Sequence, residues 1–207
     1  MVLPEPFFQG RQLDTLVENK TSYSLREAEV HVYETHQMAE RILLTFDYPV
    51  LASMIEGKKV MHLRDTPDFE FLPGESVMLP AGDLMCIDFP EAHRQNPTRC
   101  MALTMSDDLI QQVVQWMNET MPRTDAQEWS LMAQSLYFTN DETVYPVLQR
   151  LLFLFGENHP MKDLFIENLL KEVLIRILQI NTRHFYSKNP PTPPGLSSPG
   201  VRHPIHP

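Results

Sequence analysis

Between Asp68 and Met105 the chain is cut by proline and glycine into apolar runs too short to be helices. Phe69 to Leu72, Ser76 to Leu79, Leu84 to Ile87 and Cys100 to Met105 are separated by Pro73-Gly74, Pro80-Ala81-Gly82 and the Pro90 to Pro97 segment. Proline fixes φ and lacks the N–H that a central strand donates, while glycine supplies the positive φ of a tight turn. Each interruption therefore ends a strand and reverses the chain, which predicts consecutive antiparallel strands.

The same grammar extends upstream. From Glu27 the residues alternate, with Ala28, Val30 and Val32 on one side and Glu29, His31 and Tyr33 on the other, the period of a strand. Arg41 to Phe46, Tyr48 to Ile55 and Lys59 to Arg64 add further strands, split by turns at Asp47 and Gly57-Lys58; in the last of them Met61 and Leu63 oppose Val60, His62 and Arg64. About eight short strands at this spacing predict a β jelly-roll barrel or sandwich. It is expected over residues 21–105, behind an N-terminal arm over 1–20.

At Ser106 the pattern changes. Ser106 is a helix N-cap, Asp107 and Asp108 suit the positive end of the helix dipole, and Leu109, Ile110, Val113, Trp116 and Met117 form one stripe ending at Met121-Pro122. A second helix is expected over Asp125 to Tyr137. A third is expected from about Thr143 to Gly156, with a capping box from Thr139 to Glu142 and Gly156 as the residue after its end. The longest, about Met161 to Asn181, carries the supportive pairs Glu167–Lys171 and Glu172–Arg176. Its apolar positions form two rows, Phe165, Leu169, Val173, Ile177 and Ile180 beside Ile166, Leu170, Leu174 and Leu178. A helix so apolar either runs through its own bundle or turns one row to a second subunit, and the row of Ile166, Leu170, Leu174 and Leu178 is the candidate dimer interface. Residues 106–182 thus form a helical subdomain after the barrel, and the fold class is α+β. Residues 183–207 read as a linker, since Asn189 to Pro207 holds seven of the 18 prolines and no hydrophobic period.

Charge and composition narrow the function. With 27 acidic against 17 basic side chains the net charge is -10, which repels a phosphate backbone and argues against nucleic-acid binding by this chain alone. No run approaches the roughly 20 apolar residues of a membrane span and no leader is apparent, so a cytoplasmic protein without membrane contact is expected. Cys86 and Cys100 read as separate thiols in a reducing compartment rather than a disulfide.

The chemistry-bearing residues are scattered. His31, His36, His62 and His93 stand alone, with no His-x-His in the β half, so neither metal nor other cofactor is expected. No Gly-x-Ser-x-Gly elbow, phosphate loop or Cys/His pair occurs, and no catalytic residue is assigned. Small barrels do hold ligands in their mouths. The candidate lining residues are His31 and Tyr33 on one strand and His62 and Arg64 on another.

The order of these elements resembles the N-terminal effector-binding and dimerisation half of AraC-family transcriptional regulators. The likeness is carried by Phe71-Leu72-Pro73-Gly74-Glu75-Ser76, Asp88-Phe89-Pro90-Glu91-Ala92, the Pro97 to Met105 strand, the helix opened by Ser106-Asp107, and Lys171-Glu172-Val173-Leu174-Ile175-Arg176, within residues 22–182. It implies a cupin-like barrel that binds a small-molecule effector, a helical part that forms a homodimer, and a linker to a C-terminal domain with two helix-turn-helix units, through which alone DNA is bound. A small metal-dependent cupin enzyme and a barrel serving only protein contact are the alternative readings.

Overall fold

The computed structural model describes residues 1, 18–64, 66–131 and 135–188. Most of the expected arm, residues 2–17, and the proline-rich part of the linker, residues 189–207, lie outside the described residues.

Among these residues ten strands pair antiparallel in two sheets. The larger sheet has the order β1-β2-β9-β4-β7-β10, with β1 Glu18–Ser24, β2 Ala28–Thr35, β9 Thr98–Met105, β4 Val50–Glu56, β7 Glu75–Leu79 and β10 Leu136–Thr139. The smaller has the order β3-β8-β5-β6, with β3 Ala39–Leu44, β8 Met85–Phe89, β5 Lys59–His62 and β6 Phe69–Phe71. Three helices follow or interleave: α1 Asp107–Thr120, α2 Tyr145–Gly156 and α3 Lys162–Lys188. The turns sit where the sequence demands them, with Gly57, Gly74 and Gly82 all at positive φ. At Gly57 the reason is also spatial, because a Cβ there would lie 2.9 Å from the Thr98 Cα.

The large sheet is covered on both faces. Val30 and Val32 of β2, Leu51 of β4, Met78 of β7 and Met101 and Leu103 of β9 face the helices, whereas Tyr33, Val50, Ala52, Val77 and Cys100 from the same strands face the small sheet. Strict alternation thus feeds two cores from one sheet. This explains why β2 is buried almost throughout, with Glu29 its exposed residue.

The helix starts follow local chemistry. Ser106 keeps extended backbone angles and its Oγ accepts the Leu109 N–H at 3.1 Å, as its position predicted. For α2 the expected Thr139–Glu142 box is not made. Asp141 Oδ1 instead accepts the N–H groups of Thr143 and Val144, and Pro146 sits in the first turn, where a missing donor is harmless. Gly156 is the last helical residue, and extended Glu157 closes the helix.

Two expectations are corrected. Asp125 to Tyr137 is not a helix: the Asn118 side chain brackets the Trp129 backbone, donating to its carbonyl and accepting its N–H, and Trp129 Nε1 donates to the Met121 carbonyl, so the segment folds back along α1. Its end, Leu136 to Thr139, then pairs with β7 and adds a strand to the barrel from within the second half. The alternation of inward Leu136 and Phe138 with Tyr137 is real but only four residues long. The second correction concerns α3. Ile166, Leu170, Leu174 and Leu178 are 0–2 % exposed and pack in the chain's own core, as do Val173 and Ile177 of the other row. The row predicted as a dimer face is covered by α1, α2 and the large sheet, because α3 runs against both other helices.

Candidate functional site

A cavity of about 460 Å³ opens between the β1–β2 edge of the large sheet and β3 with its following turn. Its inner wall is the small-sheet side of β2, presenting His31 and Tyr33; Lys20 comes from β1, Phe46 and Tyr48 from the turn after β3, and Thr104 and Ser106 from the end of β9. The β1–β2 register sets Lys20 opposite Tyr33 and Ser22 opposite His31. That pairing fixes the lining groups directly: Ser22 Oγ is 2.8 Å from His31 Nδ1, and Lys20 Nζ lies 5.9 Å from the centre of the Tyr33 ring.

The cavity has an aromatic end and a polar end. His31 stacks on Phe46 at 6.0 Å, and Tyr33 meets the same Phe46 edge-on at 6.4 Å. Burial, reinforced by the Lys20 charge, holds the His31 imidazole below its ordinary range, so at neutral pH it is an uncharged ring. At the other end Glu27 and Glu29 are engaged with the protein: Ser106 Oγ donates to Glu27 Oε2 at 2.5 Å, and Ser24 Oγ donates to Glu29 Oε1 at 2.7 Å. The same Ser106 Oγ caps α1. A wall of the cavity is therefore also the first turn of the helical subdomain.

The four predicted lining residues do not come together. His31 and Tyr33 line this cavity. His62 lies on the outer face of the small sheet, because Met61 beside it takes the inward position. There His62 Nε2 is 2.9 Å from Asp88 Oδ2, and Nδ1 is 2.9 Å from Asp68 Oδ2 with an alignment short of a hydrogen bond. Arg64 is exposed in the turn after β5. The sequence reading missed Lys20, Phe46, Glu27 and Ser106. Lys20 fell in the segment read as an arm, and Phe46 reaches the cavity from the turn after β3, a strand hydrogen-bonded to β8 and not to β2.

The His62 pair sets a testable pH dependence. The Asp88 carboxylate, then Asp68, raises the His62 imidazole above its ordinary value; the Arg41 N–H, then His62, lowers the Asp88 carboxyl. A raised histidine stabilises fully below its unfolded value and loses that contribution as pH rises through its folded value, while a lowered carboxyl loses its contribution as pH falls. The pair is strongest between the two unfolded values, 3.8 and 6.5. The melting-temperature difference between wild type and His62→Gln is expected to shrink from about pH 5.5 to about pH 8.5, read by circular dichroism.

Among the described residues no three His, Cys, Asp or Glu side chains are arranged to hold a metal ion. No helix among them is long and apolar enough to cross a membrane.

Comparison with known proteins agrees with this architecture. Two crystal structures of ToxT from Vibrio cholerae are similar: a substituted apo form at TM-score 0.56 and 10% identity, covering 79% of this chain and 59% of that one, and a second form at TM-score 0.50 and 14% identity, covering 79% and 56%. The chain thus spans somewhat more than half of ToxT, and at these identities the likeness is one of fold. A cupin superfamily protein from Desulfitobacterium hafniense aligns at TM-score 0.39 and 12% identity, over 51% of this chain and 90% of that one. No curated protein matches by sequence. A family model described as the AraC-type transcriptional regulator N-terminus matches residues 27–184, which takes in most of the cavity lining and α3 as far as residue 184. With three-quarters of its length inside that match, the chain belongs to the family of AraC-type transcriptional regulator N-termini.

Proposed function

We propose that this domain is a non-enzymatic, cytoplasmic sensor in which the cavity beside β2 holds a small-molecule effector and the helical subdomain relays its presence within a homodimer. DNA is then bound through a helix-turn-helix domain joined beyond this chain. The observation that carries the reading is the double use of Glu27 and Ser106, which line the cavity while their hydrogen bond holds the N-cap of α1. A ligand that fits better with one arrangement of this corner than another shifts the balance of the helices, which is the differential affinity that such coupling needs.

A thermal-shift screen of the 207-residue chain against a metabolite library tests the site. Compounds that raise the melting temperature of wild type and bind at least about tenfold more weakly to Phe46→Ala support it. Hits indifferent to Phe46→Ala and Lys20→Ala overturn it.

With the Ile166 row enclosed, the homodimer requires another face. A groove of about 380 Å³ between α1 and α3, lined by Gln112, Val113, Trp116, Lys171 and Ile175, exposes 47% of Trp116. Trp116→Glu and Ile175→Glu are each expected to shift sedimentation from dimer to monomer with an unchanged far-ultraviolet dichroism spectrum. A dimer that persists in both variants removes this face.

A further inference from the structure

Between the two sheets, Lys59 of β5 and Cys100 of β9 meet side chain to side chain. They are 4% and 5% exposed. Lys59 Nζ donates to Cys100 Sγ at 2.8 Å and sits 4.9 Å from the centre of the Phe89 ring. No carboxylate among the described residues lies within ion-pair reach of this lysine. An ammonium taken out of water ordinarily finds an anion. Here a sulfur atom and an aromatic face take that place, so a nitrogen and a sulfur nucleophile are held in contact in a site the cavity does not use.

The second thiol of the chain is turned elsewhere. Cys86 lies on the outer side of β8, where Arg41 Nη1 approaches it at 3.9 Å, and the two cysteines are unbonded. A cysteine oxidised to its sulfenic acid is an electrophile that condenses with a thiol to a disulfide or with a nitrogen, as a backbone amide does, to a sulfenamide. At Cys100 the nitrogen in contact is Lys59 Nζ.

We propose that Lys59 and Cys100 form an oxidation-sensitive modification site, in which hydrogen peroxide drives a sulfenamide bond between the two side chains. In the first step the Cys100 sulfur attacks the peroxide: an S–O bond forms, the O–O bond breaks, the thiol proton goes to the departing oxygen and water leaves. In the second, Lys59 Nζ gives up a proton and its lone pair attacks the sulfur. The S–N bond forms as the S–O bond breaks, and a second water leaves. Sulfur is oxidised by two electrons and the peroxide is reduced by two, and a lysine that starts as ammonium releases one further proton to solvent. Because Lys59 belongs to the small sheet and Cys100 to the large one, the product is a covalent tie across the interior of the sandwich. The site is independent of the effector cavity, and either can fail without the other.

The experiment treats the folded 207-residue chain with a few equivalents of hydrogen peroxide and maps the product by intact and tryptic mass spectrometry. The expected product is lighter than the starting protein by about two mass units, joins the Lys59 and Cys100 peptides, resists trypsin after Lys59 and reverts with a small thiol. Lys59→Arg and Cys100→Ser are expected to abolish the cross-link, and Cys86→Ser to retain it. Since the wild-type chain alone gives the reading, poor folding of a variant does not blunt the test. The proposal is overturned if, with native dichroism retained, Cys100 stays reduced, proceeds to sulfinic acid beside an unmodified Lys59, or reacts only after denaturant is added.

Discussion

Arg99→Met is expected to destabilise the fold by about 3–5 kcal/mol, the largest effect of any single polar replacement here. Arg99 stands on β9 between Glu34 of β2 and Glu56 of β4, its Nε 2.5 Å from Glu34 Oε2 and its Nη1 in contact with Glu56 Oε2. One guanidinium thus spans three neighbouring strands at the end of the large sheet farthest from Ser106. The energetic weight lies on Glu34, which is 3% exposed, while Glu56 keeps partial access to water. Among the contacts that remain to Glu34 after the replacement is His36 Nε2, at 2.7 Å. A carboxylate left buried with its guanidinium removed must protonate or pull the strand end open. Urea denaturation checks the size of the loss. The cause is checked by the double variant Glu34→Leu with Arg99→Met, which is expected to recover much of it, since the charge needing compensation is gone. A double variant no more stable than the single one rules out the stranded carboxylate as the cause.

The second large effect is at Leu174. This residue is 1% exposed in the core shared by α1, α2, α3 and the large sheet. Leu174→Ala removes buried methyl groups and leaves a void, at about 2–5 kcal/mol. Leu174→Glu adds the desolvation of a carboxylate and is expected to cost more, enough to lose the native helical half. The distinction matters for oligomerisation. On a subunit-facing residue, glutamate yields a folded monomer; on an enclosed one it yields a collapsed nuclear magnetic resonance spectrum whatever the association state. A well-dispersed spectrum from Leu174→Glu contradicts the placement of α3.

How far these features could be read in advance follows from the range of the interactions behind them. The strands between Phe69 and Met105 were legible because proline and glycine act on their own neighbours, and the same holds for Ser106, whose cap requires only the next three residues. The alternation of β2 correctly separated Ala28, Val30 and Val32 from His31 and Tyr33, but not what each side faced: both are buried, one by helices and one by the small sheet. Strand β10 escaped because four residues of alternation cannot compete with the helical composition around them. The two-row pattern of α3 overstates its burial, since Leu164 and Phe165 are exposed on one side of the helix, and the tertiary arrangement shows that it is the chain itself that covers Ile166, Leu170, Leu174 and Leu178. The cavity was half legible. His31 and Tyr33 were found from period alone, whereas Phe46 joins them through space without a shared hydrogen-bond ladder. By parity His62 points to the outer side of β5 and Arg64 lies in the turn after it, and neither reaches the cavity, which β5 does not line.

The double burial of β2 carries a consequence for how such a domain diversifies. His31 and Tyr33 of this strand line the cavity while Val30 and Val32 meet the helices, so a change at 31 or 33 reshapes the cavity while the packing at 30 and 32 stays as it was. The shape of the cavity and the packing of the helices are written on alternate residues of one segment, and each can drift at its own pace.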